Sequence, residues 1–226
     1  HGFTGSSSSW KEIIKLLNKS SYAIDVAGHR KSTFNSIENA YTVSDWCSEF
    51  YMILNNLSIP KINICGYSMG GRLAIAFASK YPEKINSLIL ESTSVGIDES
   101  EKRSERYYSD KEMAVNIKED LPSFVNLWEK NMFFLNQKER NPKEWKKQKE
   151  IRLSHAPEQL AKALEAFSPS NMPYYERQFQ EFSFPISIIN GSEDVKFIKL
   201  GKDMTIMNNN AKQYIIQDAN HNMAYY

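Results

Sequence analysis

Ser68 stands in a sequence context that is typical of an activated serine. It is the central residue of a G-x-S-x-G motif formed with Gly66 and Gly70. A β-branched, apolar segment precedes the motif, and an alanine-rich segment with helical character follows it. Strand, tight turn and helix in this order indicate a nucleophile elbow, whose strained backbone exposes the serine hydroxyl at a helix N-terminus. The alternative is an ordinary glycine-rich turn between a strand and a helix.

A serine hydroxyl needs a base to take its proton, and the base needs an acid to orient it. In an elbow of this type, the acid and then the histidine follow the serine along the chain. The two histidines that follow Ser68 are His155, in a helical region, and His221, directly after a predicted strand. We therefore predict that His221 is the base. The alternative is a histidine in a surface loop.

The acid is predicted in the loop that follows the strand at residues 184–189. This loop holds two adjacent carboxylates, Glu193 and Asp194, after a glycine. We favour Asp194, because the second carboxylate of such a loop more often points inward. Glu193 is the rival.

An oxyanion site needs two backbone N–H groups that point at the same position. Met69 follows the serine directly and is predicted to provide one of them. The other is predicted to come from Phe3, in the glycine-containing loop at the start of the chain. Both roles belong to the backbone, so the side chains say little about them.

Predicted helices and strands alternate around these residues. Apolar residues recur at helical spacing in 10–17 and 43–57, and Ser44 is the expected N-cap of the second helix. Short apolar segments predict strands at 21–26, 85–90, 184–189 and 212–216. A further strand is predicted in the segment that directly precedes the elbow. Alternation of this kind predicts an α/β fold with a mostly parallel, doubly wound sheet.

Residues 91–182 interrupt the alternation with long, charged helical stretches. A helical insertion between two strands is expected to form a lid over the C-terminal edge of the sheet, where such sheets bind ligands. The predicted division of the chain is therefore 1–90 for the first part of the core with the elbow, 91–182 for the lid, and 183–226 for the second part of the core with the acid and histidine loops.

The composition argues against several classes of protein. Of the 226 residues, 41% are hydrophobic, and the formal net charge is +1, which favours neither a disordered chain nor a nucleic-acid-binding protein. No apolar run approaches the roughly 20 residues of a membrane-spanning helix. Cys47 and Cys65 lack the spacing of a metal site, and we interpret them as reduced core thiols of a cytoplasmic protein.

Both ends of the chain lack elements that the predicted fold would need. The chain begins at His1 without a strand that leads into the first loop, and it stops at Tyr226 before any closing helix. We therefore expect N- and C-terminal elements of the fold to be missing from this sequence.

Taken together, these residues resemble the α/β-hydrolase family over nearly the whole chain. The finer resemblance is to the 2-succinyl-6-hydroxy-2,4-cyclohexadiene-1-carboxylate synthases of menaquinone biosynthesis. The segments that carry it are Tyr67-Ser68-Met69-Gly70-Gly71-Arg72, Leu90-Glu91-Ser92-Thr93-Ser94, Arg103-Ser104-Glu105-Arg106, Ser109-Asp110, Val195-Lys196-Phe197 and Asn220-His221-Asn222.

The resemblance implies an elimination rather than a hydrolysis. In that family a ring proton is removed, pyruvate leaves and a diene forms, so Ser68, deprotonated by His221 with Asp194 behind it, would be a general base. The resemblance implies neither a metal nor an organic cofactor. The implied partner is a small polycarboxylate, with no nucleic acid and no membrane involved.

Five side chains are expected to bind that substrate: Tyr67, Arg72, Arg106, Trp128 and Arg152. Arg72 lies one helical turn beyond the serine, and a buried arginine is costly unless it meets an anion. Arg106, Arg152 and Trp128 are expected on the resemblance, because they match family positions. For Arg106 and Arg152 the alternative is a pair of surface charges on the lid.

Two other functions are compatible with the same residues. A carboxylesterase or thioesterase would use Ser68 as an acyl nucleophile, although arginines around the site do not suit an apolar ester. A receptor or scaffold with this fold would have no need for an intact Ser68, Asp194 and His221. The sequence leaves open whether the protein is a monomer or a homodimer.

Overall fold

The computed structural model describes residues 1–223, and its centre is a parallel sheet of four strands in the order β1-β2-β3-β4. The strands are β1 (Ile62–Tyr67), β2 (Ile85–Glu91), β3 (Ile186–Gly191) and β4 (Ala211–Ile216). All three neighbouring pairs are parallel, which confirms the predicted α/β architecture. Because the strands are parallel, the loops that follow them leave the sheet at one edge.

Ten α-helices accompany the sheet in the described part of the chain. They are α1 (Lys11–Leu17), α2 (Val43–Asn56), α3 (Met69–Lys80), α4 (Ser100–Glu119), α5 (Leu121–Trp128), α6 (Gln137–Arg140), α7 (Pro142–Leu153), α8 (Pro157–Ala166), α9 (Glu176–Gln180) and α10 (Val195–Met207). Helix α3 packs on β1 and β2, and α10 packs on β3 and β4. The α3 residues from Leu73 to Ala78 are almost completely buried, so this helix forms the centre of the core.

Residues 21–26 were predicted as a strand, and that prediction is wrong for the described chain. The segment belongs to no ladder, and β1 pairs only with β2. A strand is stabilised by hydrogen bonds to a neighbouring strand, which local sequence cannot supply. Ile24 nevertheless packs against the core, which accounts for the apolar pattern that suggested a strand.

Cys65 was predicted to be a core thiol, but it is exposed on β1, at the edge of the described sheet. Edge strands lack the second neighbour that would cover them. Cys47, in α2, is buried as predicted, and both thiols are free.

Helix α2 begins with a capping box that uses Thr42 rather than the predicted Ser44. The Thr42 hydroxyl accepts from the backbone N–H of Asp45 at 3.2 Å, and the Asp45 carboxylate accepts from the Thr42 N–H at 2.8 Å. Ser44 lies within the first turn, and its hydroxyl accepts from Lys80 Nζ. These two reciprocal hydrogen bonds therefore satisfy two backbone N–H groups at the start of the helix.

Thr42→Ala is expected to lower the free energy of unfolding by about 1 kcal/mol, because it removes the hydroxyl acceptor of the capping box. Urea denaturation measures the change. Ser44→Ala is the matched control and should cost less than half as much. A larger loss from Ser44→Ala would show that the cap has been assigned to the wrong residue.

The insertion between β2 and β3 has an apolar core of its own. Its members come from α4, α5 and α8 and are Ala114, Ile117, Leu121, Phe124, Val125, Leu160, Ala161 and Leu164. Phe179, in α9, and Phe182 instead join the main core beside the sheet. The end of the predicted lid is thus packed with the sheet, and the division into core and lid stays a prediction.

Residues 1–223 contain no helix that combines the length and the hydropathy needed to cross a bilayer.

Candidate active site

Ser68 occupies a strained turn between β1 and α3. Its φ is +52°, a conformation that residues other than glycine rarely adopt. A Cβ on Gly66 would overlap the carbonyl oxygen of Gly70, and one on Gly70 would lie 2.6 Å from the carbonyl oxygen of His1. Only glycine fits at these two positions. The turn therefore has the backbone geometry expected of a nucleophile elbow.

Ser68, His221 and Asp194 form a hydrogen-bonded chain. His221 Nε2 lies 3.2 Å from Ser68 Oγ, and His221 Nδ1 lies 2.7 Å from Asp194 Oδ2. Since a carboxylate can only accept, Nδ1 carries the proton, and Nε2 is free to accept the proton of the serine hydroxyl. The arrangement can activate the hydroxyl as a nucleophile or as a base.

Glu193, the rival acid, faces elsewhere. Its carboxylate pairs with the guanidinium of Arg140 in a half-exposed position. Asp194 is buried at the N-terminus of α10, where it reaches the imidazole of His221. The geometry therefore favours Asp194 as the residue that orients the histidine.

The pKa of His221 is lowered from its ordinary value of 6.5, chiefly because the ring is buried, although Asp194 opposes the shift. Protonated His221 cannot take a proton from Ser68, so activity should be lost only as the pH falls below that depressed pKa. We expect the acid limb of a plot of kcat/KM against pH to have its midpoint below 6.5.

Glu91 is a second group whose titration would fall within the pH profile. Burial raises the pKa of its carboxyl to about 7, and its Oε1 accepts from the backbone N–H of Met223 at 2.9 Å. Glu91→Gln keeps an acceptor oxygen but removes the titration. The acid limb should persist in this variant. If the limb vanished, or if the wild-type midpoint lay above 6.5, His221 would not be the titrating base.

The two predicted oxyanion donors lie on the same cavity as Ser68. Met69 is the first residue of α3, where the opening N–H groups have no partner within the helix. Phe3 lies in a turn that is closed by a hydrogen bond of 3.0 Å from the Gly5 N–H to the Gly2 carbonyl. Gly2 packs so closely against the ring of Tyr67 that a Cβ there would lie only 2.7 Å from it.

All the predicted substrate-binding residues line this cavity: Tyr67, Arg72, Arg106, Trp128 and Arg152. Within residues 1–223, the buried Nε of Arg72 has no hydrogen-bond partner. Burial lowers the pKa of Arg72 to about 10, and the nearby charge of Arg106 adds to this shift while Asp110 opposes it. An unpaired buried guanidinium on a cavity wall suits an anion.

Arg106 and Arg152 already have acidic partners. Arg106 Nε donates to Asp110 Oδ2 at 2.8 Å, and Asp110 also accepts from Ser168 Oγ at 2.6 Å. The guanidinium of Arg152 is buried and donates to Glu129 Oε1 at 2.9 Å. Arg152 is therefore no surface charge, and any anion it binds would share it with Glu129.

Trp128 contributes an apolar wall and a donor. Its ring meets Phe3 edge-on at 5.6 Å and stacks on Phe124 at 5.8 Å. The indole Nε1 is buried, and no acceptor lies within reach among the described residues. A polar group of a ligand could satisfy it.

A family model described as the alpha/beta hydrolase fold matches residues 1–225. The chain belongs to the α/β-hydrolase family. Within this family its relatives include a Bacillus subtilis (strain 168) protein provisionally named 2-succinyl-6-hydroxy-2,4-cyclohexadiene-1-carboxylate synthase. The two are 31% identical over 98% of this chain and 81% of the relative. A synthase of the same name from Enterobacter sp. (strain 638) is 26% identical over 98% and 83%.

Solved structures agree with the sequence relatives. MenH from S. aureus superposes with a TM-score of 0.93 at 30% identity, covering 100% of this chain and 85% of that one. A thermophilic esterase from Thermogutta terrifontis has a TM-score of 0.82 at 24% identity, covering 100% and 82%, and this likeness concerns the fold alone. The predicted α/β-hydrolase fold and the finer resemblance to the synthases are confirmed.

This α/β-hydrolase site also contains residues that sequence reasoning missed. Phe133 stacks on the imidazole of His221 with the ring centroids 4.5 Å apart, and the ring centroid of Phe197 lies 4.5 Å from that of the same imidazole. Both rings bury the histidine and limit its rotation. Phe197 was noted only as part of a motif, and no signal marked Phe133, which comes from the insertion.

Proposed function

We propose that this protein eliminates pyruvate from 2-succinyl-5-enolpyruvyl-6-hydroxy-3-cyclohexene-1-carboxylate, giving 2-succinyl-6-hydroxy-2,4-cyclohexadiene-1-carboxylate in menaquinone biosynthesis. The names of its relatives support this reaction. The observation that carries it is the juxtaposition, on one cavity, of Ser68 hydrogen-bonded to His221 and a buried Arg72 whose Nε has no partner among the described residues. Together they combine an activated oxygen with a binding site for an anion.

The first step is the removal of a ring proton. His221 Nε2 takes the hydroxyl proton of Ser68, and the serine oxygen takes the proton of the ring carbon that carries the succinyl group. The ketone of that succinyl group makes this C–H acidic, because the electron pair left behind spreads onto its oxygen. The Phe3 and Met69 N–H groups would stabilise the charge on that oxygen.

The second step expels the enolpyruvyl group. The electron pair moves through the ring double bond, two conjugated double bonds form, and the C–O bond to the enolpyruvyl group breaks. The leaving enolpyruvate gains a proton and becomes pyruvate, and His221 returns to its neutral form. In the net reaction one proton passes from the ring carbon to enolpyruvate and one C–O bond breaks, so the reaction needs neither an oxidant nor a reductant.

The arginines would orient the substrate, which carries three carboxylates. Arg72 is the site for one of them, since its buried Nε has no hydrogen-bond partner within residues 1–223. Arg106, held by Asp110, would offer its remaining donors from the insertion. The guanidinium of Arg152 is already paired with Glu129, so we expect Arg152 to contribute less to substrate binding than Arg72.

The runner-up is a carboxylesterase or thioesterase. The Ser68–His221–Asp194 geometry would serve acyl transfer equally well. The cavity argues against it, because a buried cation is a poor neighbour for an apolar ester. A binding protein without catalysis is a more remote alternative, since it would need none of the three hydrogen-bonded side chains.

The free thiols and the proposed substrate also bear on where the protein acts and on its partners. Free cysteines are typical of a reducing compartment, and a small carboxylated substrate needs no membrane or nucleic acid. We therefore assign the reaction to the cytoplasm.

Release of pyruvate from the enolpyruvyl substrate, coupled to lactate dehydrogenase, tests the proposed function. We expect turnover with that substrate and only weak hydrolysis of nitrophenyl esters. Robust ester hydrolysis without pyruvate release would overturn the lyase assignment and favour the runner-up.

A further inference from the structure

His155 connects the helical insertion to the turn that contains Phe3. It lies between α7 and α8 and is buried. Its Nε2 is 3.0 Å from the carbonyl oxygen of Thr4, and its Nδ1 is 3.1 Å from the backbone nitrogen of Arg30. Since the Arg30 N–H can only donate, Nδ1 is the acceptor, and Nε2 carries the proton that is donated to Thr4. Both ring nitrogens are therefore used.

Thr4 is the residue of this turn that most needs to be held. Its φ is +63°, which is an outlier for a β-branched side chain. Such a conformation is retained only when the surroundings over-determine it. The turn is closed by the Gly5–Gly2 hydrogen bond on one side, and the bond from His155 fixes the Thr4 carbonyl on the other.

We propose that His155 is a positioning residue that holds the Phe3 N–H in its oxyanion orientation through the Thr4 carbonyl. This inference rests on the proposed function, because it assigns the Phe3 N–H a role in the transition state. The insertion then does more than cover the cavity: it fixes one of the two backbone donors. When the bond to Thr4 is lost, the turn relaxes and the Phe3 N–H leaves its position.

A second contact supports the same path. The ring of His29 meets His155 edge-on at 5.2 Å and Phe3 edge-on at 5.9 Å. Burial lowers the pKa of both imidazoles; at His155 the hydrogen bond to Thr4 and the charge of Asp25 oppose the shift, and Arg30 reinforces it. Both rings are therefore neutral near pH 7, as the hydrogen bonds of His155 require.

Two isosteric changes separate the two hydrogen bonds of His155. Asparagine places its amide near Nδ1, so His155→Asn keeps an acceptor for the Arg30 N–H and loses the donor to Thr4. Glutamine reaches the position of Nε2, so His155→Gln keeps the donor to Thr4. Gln159→Ala is the matched control, because Gln159 also ties the insertion to the core, through Phe34. It does not touch the Phe3 turn.

The four proteins are compared by kcat and KM for pyruvate release and by Tm. His155→Asn should lower kcat about tenfold with KM within about twofold, because a misplaced oxyanion donor acts on the transition state. His155→Gln should recover most of kcat, and Gln159→Ala should lower Tm without lowering kcat. Normal kcat in His155→Asn, or equal losses in all three variants, would overturn the inference.

Failure of the proposed function would be visible separately, as the absence of pyruvate release from the wild-type protein. In that case the same four proteins are compared on nitrophenyl acetate, whose hydrolysis would use the same turn. The same order of rates would support the role of His155, and equal rates would contradict it.

Discussion

Ser68→Ala is expected to lower kcat for pyruvate release at least about 10³-fold, because no other described group stands at hydrogen-bond distance from His221 Nε2 to relay its basicity to the substrate. The remaining rate would come from substrate binding and from the oxyanion N–H groups. The lactate dehydrogenase-coupled assay measures the loss directly.

Ser79→Ala is the matched control for that variant. Ser79 lies in the same helix, α3, and donates to the backbone carbonyl of Ile75 at 2.8 Å, away from the cavity. It should turn over normally. Near-normal turnover of Ser68→Ala with an unchanged Tm would remove the serine from the mechanism.

Arg72→Met is expected to lower kcat/KM by about 150-fold or more, which corresponds to about 3 kcal/mol for a buried carboxylate contact. The free energy of unfolding should rise or stay the same. Methionine fills a similar volume, and the substitution removes a cation whose buried Nε has no partner within residues 1–223. Steady-state kinetics and urea denaturation of the same preparation test both parts.

The matched control for Arg72 is Arg177→Met, at an arginine whose side chain is 87% exposed and pairs with Glu181. It should change neither quantity measurably. An unchanged kcat/KM in Arg72→Met would show that the guanidinium is not a substrate contact. A large loss of stability would show instead that Arg72 is a structural residue.

The parts of the fold that could be predicted from the sequence are those with local signals. Strands β2 and β3 are rich in isoleucine and leucine, and the elbow is a motif of glycines that the turn itself requires. The strand predicted at 21–26 failed because strand formation depends on a neighbour. The cap of α2 was misplaced by two residues, because Thr42 and Ser44 are both acceptable cap residues. Only the return hydrogen bond from Thr42 to the side chain of Asp45 distinguishes Thr42 as the cap.

The site, too, contains residues that the sequence could predict and contacts that it could not. Ser68, Asp194 and His221 could be proposed from their order along the chain, since each follows a strand at one edge of the sheet. The pairing of Arg152 with Glu129 could not, because it joins α7 to the residue after α5 across the insertion. Contacts of Phe133 with His221, and of His155 with Thr4, likewise depend on how the insertion packs.

The role of Ser68 as a base, rather than as an acyl nucleophile, is tested most directly by the intact mass of the protein quenched during steady-state pyruvate release. An elimination forms no covalent intermediate, so we predict that pyruvate accumulates while the protein keeps its unmodified mass at every time point. A mass gain on Ser68, formed during turnover and lost when the substrate is exhausted, would contradict the account and identify the serine as a nucleophile.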